Sequence, residues 1–212
     1  MKGMLIKDIE FMKQQKQFFL MVIVMGIVLN ISGSVTFSVG YFTILVAVFT
    51  NTTMSYDEYD NGMPFLLTLP IGRRQYVAEK YILGAGLTFL AWGIGTVLSL
   101  ICNEVVKGAE SLEDIMGGAA TIPVAILMLA VFLPLSIRFG VEKGRYIAIA
   151  LWIVVFAGIY AVGKTGIQQG EIVAWLDTLN WKIIFPASVL IMLAIYLASY
   201  KISSICMEKK EF

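Results

Sequence analysis

The sequence predicts an all-α integral membrane protein with six transmembrane helices, and three observations lead there. Hydrophobic residues make up 58% of the 212 residues and charged residues 15%, against about 25% charged in an ordinary soluble domain. Mean hydropathy is +0.82. Five stretches carry no Asp, Glu, Lys or Arg: 17–56 (40 residues), 81–103 (23), 115–137 (23), 146–163 (18) and 183–200 (18). An ion at the bilayer centre costs about 2.5 to 3.5 kcal/mol, so runs of this length mark crossings.

Taken in order, the N-terminal segment comes first. Leu5, Ile9 and Met12 repeat at four and three residues while Lys7, Glu10, Lys13 and Gln14 occupy other faces, which predicts an amphipathic interfacial helix over 3–16 on the inner leaflet. Lys2, Lys7, Lys13 and Lys16 precede an apolar run that ends in small residues at Ser32, Gly33 and Ser34. That pattern would suit a signal peptide, but the following segment is another span and not a soluble domain.

A crossing needs about 20 helical residues, so the 40-residue run holds two. The turn formers Ile31-Ser32-Gly33-Ser34 supply its hinge. The six spans are then 18–33, 35–54, 81–102, 118–137, 146–163 and 183–201. Along the second, Thr36, Gly40, Thr43, Ala47 and Thr50 form one stripe of small or hydroxyl residues. Such a stripe suits a helix-packing seam, a dimer seam or a weakly polar translocation surface.

The connections are a long loop over 55–80, an acidic loop with Glu104, Glu110, Glu113 and Asp114, a short loop over 138–145, and a segment over 164–182. In the last, Ile172, Leu176 and Leu179 keep helical spacing beside Trp175 and Trp181, predicting a second interfacial helix. Six spans put both termini on one side. Lys plus Arg then number 13 on that side and 3 on the other, so the positive-inside rule makes the termini cytoplasmic. No independent extramembrane domain fits, and 1–212 reads as a single transmembrane domain.

Composition also excludes chemistry. There is no His, which removes imidazole acid–base chemistry, His metal ligation and His-based hydrolytic triads. A net charge of +1 offers no basic surface for nucleic acid. Cys102 and Cys206 fall near opposite membrane faces, so an intrachain bridge is not expected. Apart from Lys201 at the end of the sixth, the predicted spans contain no ionisable side chain beyond Tyr and Cys, leaving no proton relay, voltage sensor or acid pair within them. Energy for any transport must therefore arrive from outside the spans.

Gly158-Ile-Tyr-Ala-Val-Gly163-Lys164-Thr165 spells a phosphate-binding loop. Its context is wrong, because such a loop joins a buried strand to a helix whose free amides hold phosphate, whereas this one lies in the fifth span. Lys164 reads better as an interfacial anchor. Asn30-Ile-Ser32 and Asn51-Thr-Thr53 match a glycosylation pattern but sit in or beside spans.

Two loops carry a resemblance. Leu69-Pro70-Ile71-Gly72-Arg73-Arg74-Gln75-Tyr76-Val77-Ala78-Glu79-Lys80-Tyr81 resembles the L-P-I-x-R-x-x-Y-V-x-x-K-Y signature of small permeases in the ABC-2 transporter superfamily. Phe139-Gly140-Val141-Glu142-Lys143-Gly144-Arg145 is similar to that family's F-G-x-E-K-G-R loop between helices four and five. With six helices and an N-terminal amphipathic segment, the resemblance spans essentially the whole chain. Within the superfamily it is closest to permeases that export phenol-soluble modulins and similar amphipathic bacterial peptides.

The resemblance implies an ABC-2 exporter fold in a bacterial cytoplasmic membrane, with a cytoplasmic coupling helix and short helices after span five that close the pathway outside. It implies a homodimer docked to a separate soluble ATPase. No cofactor or metal is expected in this chain, which would be a non-catalytic subunit, while the ATPase binds ATP and Mg. Asn61 to Pro70 would form the coupling helix, with Pro64, Phe65, Leu66, Leu69 and Pro70 as its apolar contact and Asp57, Glu58, Arg73 and Arg74 adding charge. Alternatively, the loop embeds in lipid with both arginines on anionic headgroups. Arg138, Glu142, Lys143 and Arg145 would be a secondary ATPase contact or only topology signals. Cargo would be an amphipathic or antimicrobial peptide, with lipids and hydrophobic drugs as other fits. A passive channel and a membrane scaffold are the competing functions.

Overall fold

The computed structural model describes residues 2–32, 35–59, 62–68, 72–106, 117–164 and 181–210. Among these residues there is no strand. Eight helices of seven or more residues follow in order: α1 Lys2–Gln14, α2 Lys16–Ser32, α3 Val35–Glu58, α4 Gly62–Thr68, α5 Arg73–Val106, α6 Thr121–Phe139, α7 Val141–Lys164 and α8 Trp181–Lys209. The predicted spans fall mainly within α2, α3, α5, α6, α7 and α8. Four described helices are long and apolar enough to cross a membrane: Val35–Glu58, Arg73–Cys102, Gly117–Phe139 and Val189–Lys209. The α1–α2 pair, bent by 66°, makes a fifth if it counts as one span.

The helices run past the apolar segments that predict them. The long loop expected over 55–80 is largely helix: α3 continues to Glu58, α4 occupies Gly62–Thr68, and α5 begins at Arg73, eight residues before the uncharged run. Charge ends an apolar run, but it does not end a helix when the charges find partners on neighbouring helices. The N-terminal amphipathic segment is helical and partly packed on the bundle. Its Met4 and Asp8 are buried in the bundle, and Leu5 and Met12 pack on core residues, while Ile6 and Ile9 stay exposed. One face of α1 therefore rests on protein and not on lipid.

α3 is the centre of the molecule, packed against α2, α5 and α6. Of its apolar window 61% is buried, against 17% for that of α8. Close approaches make this possible. The Phe42 ring occupies the place of a side chain at Gly26, where a Cβ would lie 2.2 Å from it, and its base lies 3.1 Å from a Cβ position on Gly95. α6 and α7 form a tight hairpin, since a Cβ on Gly144 would sit 2.8 Å from the Ser136 backbone. Small residues thus set helix spacing here, as expected where lipid removes the hydrophobic drive between helices.

Hydroxyls join the helices further in. Tyr81 Oη lies 2.6 Å from Ser199 Oγ and 2.7 Å from Ser203 Oγ, Tyr196 Oη donates to the Tyr81 carbonyl, and Ser199 Oγ donates to that of Ala130. α5, α6 and α8 are linked this way. The expected outer helix with Ile172, Trp175, Leu176 and Leu179 lies outside the described residues, as do Glu110, Glu113 and Asp114. Cys102 and Cys206 are both free thiols.

Candidate functional site

The segments predicted to share one side of the membrane meet at one end of the bundle. Four segments gather there, the N-terminal helix, the α3–α5 connection, the α6–α7 turn and the C-terminal helix end, and charged side chains join them. Lys80 of α5 is fully buried, and its ammonium pairs with Asp8 of α1 and, at 2.9 Å, with Asp57 of α3. It also donates to Thr53 Oγ1 at 3.1 Å. Lys7 pairs with the other oxygen of Asp57 and lies 3.2 Å from Asp8. Tyr76 Oη donates to Asp57 at 3.1 Å. The remaining acid, Glu79, is fully buried with Lys80 3.7 Å away.

Two lysines and two aspartates thus form a closed ring that bolts α1, α3 and α5 together. Such pairing makes burial of these ions tolerable, because a buried charge without a partner is strongly destabilising. The sequence reading placed Asp57 on an outward docking surface; its side chain faces inward, 6% exposed.

Two further predicted docking charges hold helix ends. Glu58, the last residue of α3, accepts a 2.7 Å hydrogen bond from the Val141 amide at the start of α7, and its other oxygen lies 3.4 Å from Lys210 Nζ. Gly140 turns the chain into this contact with φ +84°, a conformation that favours glycine. Arg73, the first residue of α5, donates from Nη1 to the carbonyls of Glu208 at 2.8 Å and Lys210 at 2.9 Å. Arg74 is exposed and pairs with Glu208.

Between these anchors lies α4. Met63 is buried and Leu66 packs on the same core cluster, whereas Pro64 and Phe65 point outward, Phe65 at 69% exposed. Residues three apart hold the short helix down, and the face between them presents an apolar surface. Asn61, Leu69 and Pro70 lie outside the described residues. A cleft of about 380 Å³ joins Met63 and Pro64 of α4 to Glu58, Arg138, Phe139, Gly140 and Lys210. Across Glu58 a second, of about 370 Å³, is lined by Tyr59, Gly140, Glu142 and Lys143 among others. Arg138, Glu142, Lys143 and Arg145 are all exposed. The two loops that the sequence treats separately are therefore one composite surface.

The stripe of α3 divides into two. Thr43, Ala47 and Thr50 are buried against the chain's own helices, a packing role. Thr36 and Gly40 line a mostly apolar groove of about 510 Å³ with Phe37, Tyr41, Ile44, Leu45 and Thr121. The phosphate-loop lookalike over 158–164 is continuous helix in α7, so no loop of free amides exists there to hold phosphate.

Sequence reasoning missed Lys7, Asp8, Tyr76, Glu79 and Lys80 as members of one site. The available signal was Asp8, an acid one helical turn from both Met4 and Met12 on the face that packs. A family model described as an ABC-2 family transporter protein matches residues 3–208. No curated protein and no solved structure matches the chain. Several apolar helices and a match over nearly the full length make this a multi-pass membrane protein, the permease component of an ABC transporter, and members of its family work with ABC ATPases in the lipid bilayer. The chain belongs to the ABC-2 family of transporter proteins.

Proposed function

We propose that the chain is the membrane subunit of an ATP-driven exporter in a bacterial cytoplasmic membrane, working as a homodimer of six-span protomers. Each protomer docks a separate ATPase on its charged end, which is the cytoplasmic end. One observation carries this reading: α4 is a seven-residue helix pinned by Met63 and Leu66 while Pro64 and Phe65 face outward beside exposed charges. A short amphipathic helix with an aromatic anchor and a charged rim suits docking into a cleft of a soluble partner. The docking surface is then Pro64, Phe65, Arg74 and the rim Arg138, Glu142, Lys143 and Arg145, with Leu66 as support and Asn61, Leu69 and Pro70 completing the segment. Meeting of both termini with the α3–α5 and α6–α7 connections at one end supports six crossings.

The partner supplies ATP and Mg chemistry, and its closure biases the bundle between arrangements because the two states bind the partner differently. Cargo of amphipathic-peptide type fits a pathway that is apolar with scattered hydroxyls, such as the groove at Thr36, Tyr41 and Thr121.

Phe65→Asp is the clean test, since Leu66 also supports the core. Tagged wild-type permease from native membranes should co-purify a vanadate-sensitive ATPase. The variant should insert normally yet lose that partner by on the order of tenfold or more, the size of an aromatic hot spot. Undiminished co-purification would sink the docking assignment, and absence of any ATPase with wild type would turn the function toward a passive channel or scaffold.

A further inference from the structure

The two residues that bracket the docking segment both end on backbone atoms at the tips of other helices, and their signs match those tips. An α-helix leaves its first amides and last carbonyls without intrahelical partners, so its start is positive and its end negative. Glu58 is an anion on the first amide of α7, and Arg73 is a cation on the last carbonyls of α8, with Met207 O also 3.4 Å from its Nη1. Exchanging the two signs would make both contacts repulsive.

We propose that Glu58 and Arg73 are positioning residues that pass displacement of the docking segment to α7 and α8 respectively. This rests on reading α4 as the ATPase-docking helix. The bases of α3 and α5 cannot move independently, because the Lys7–Asp8–Asp57–Lys80 ring ties both to α1. A push on α4 therefore moves Glu58 and Arg73 as one body. Both contacts reach main-chain atoms, so a shift of either residue must be followed by the helix end or break the hydrogen bond. Gly140, with its positive φ, presents the Val141 amide to the carboxylate.

The test uses the full chain in proteoliposomes with the ATPase that co-purifies with it, in a Cys102→Ser/Cys206→Ser background. Spin labels on the exposed pair Phe37→Cys and Tyr160→Cys follow α7 against α3, and Phe37→Cys with Leu190→Cys follows α8. In wild type, ATP plus vanadate should shift both distances. Glu58→Ala should abolish the α7 shift and spare that of α8, Arg73→Ala should do the reverse, and Glu58→Gln, which keeps an acceptor for the Val141 amide, should restore the α7 response.

Persistence of both shifts in both variants, or equal loss of both in each, would overturn the inference. Loss of the ATPase from either variant would put that residue in the docking surface and overturn it too. Failure of wild type to bind an ATPase or to respond to nucleotide would instead remove the docking reading beneath it. A second readout needs no partner. Amide exchange in the isolated permease should accelerate at Val141 alone in Glu58→Ala and in the last turn of α8 alone in Arg73→Ala, and exchange unchanged at both helix ends would also overturn the assignment.

Discussion

The charged end and the interior of the bundle are both buried, yet they are joined by different means. At the charged end, Lys80 alone touches groups on α1 and α3 as well as its own helix. In the interior many hydroxyls spend their bond on their own helix, as Thr43 does on the Val39 carbonyl, Thr88 on Gly84 and Thr96 on Trp92. A hydroxyl satisfied within its helix places no demand on a neighbour, so the contact around it is van der Waals packing. A buried ion has no such local alternative, and its partner must stay. The charged end is thus held by ion pairs between helices, whereas the interior combines hydroxyls spent within a helix with the few that cross, such as those of Tyr81 and Ser199.

Three substitutions would sharpen or break that contrast. Lys80→Met strands Asp8 and Asp57 with only Lys7 between them and Glu79 nearby, and should destabilise by about 3 to 5 kcal/mol, the cost of breaking a buried pair. The readout is the unfolding midpoint in a mild detergent. Adding Asp8→Asn and Asp57→Asn should recover most of the loss, and failure to recover would mean that volume, not charge, is what Lys80 supplies. In the interior, Tyr81→Phe removes the links to Ser199 and Ser203, and should cost about 0.6 to 1.7 kcal/mol, the range for hydrogen bonds between membrane helices. A cost equal to that of Lys80→Met would erase the distinction. Smallest is Arg74→Ala: its pair with Glu208 is exposed, so the midpoint should not move measurably in either low or high salt.

Much of the architecture could be read in advance because lipid imposes a simple rule. Each uncharged run became the body of one or two helices, and within the longest α2 ends at Ser32 and α3 begins at Val35. What spacing could not give is pairing across distance. Lys80 and Asp8 are 72 residues apart, and nothing local says that a lysine just before an apolar run turns inward to meet an acid on α1. Counting Lys7 and Lys80 as topology signals was silent on their bonds.

The family signature held more than it disclosed. Arg73, Tyr76, Lys80 and Tyr81 are its fixed letters, and the structure gives each a contact: helix end, Asp57, ion ring and hydroxyl network. In the second motif, Gly140 and Gly144 are the letters with a geometric role, one turning the chain toward Glu58 and the other admitting the α6 backbone. The proposed docking segment was chosen as a stretch of sequence, without the direction of its side chains. Phe65 faces out, whereas Asp57, Glu58 and Arg73 contact the chain's own helices.

The unequal lengths of α2 and α3 carry a consequence for the surrounding bilayer. α2 has 17 residues and α3 has 24, which at 1.5 Å per residue is about 26 and 36 Å. A hydrocarbon core of about 30 Å overshoots the first and falls short of the second. Were α2 a crossing by itself, lipid beside it would have to thin, while α3 would carry its last turns, with Asp57 and Glu58, beyond the acyl chains. Activity of the reconstituted protein should therefore depend on lipid chain length, with an optimum on the short side of the usual range.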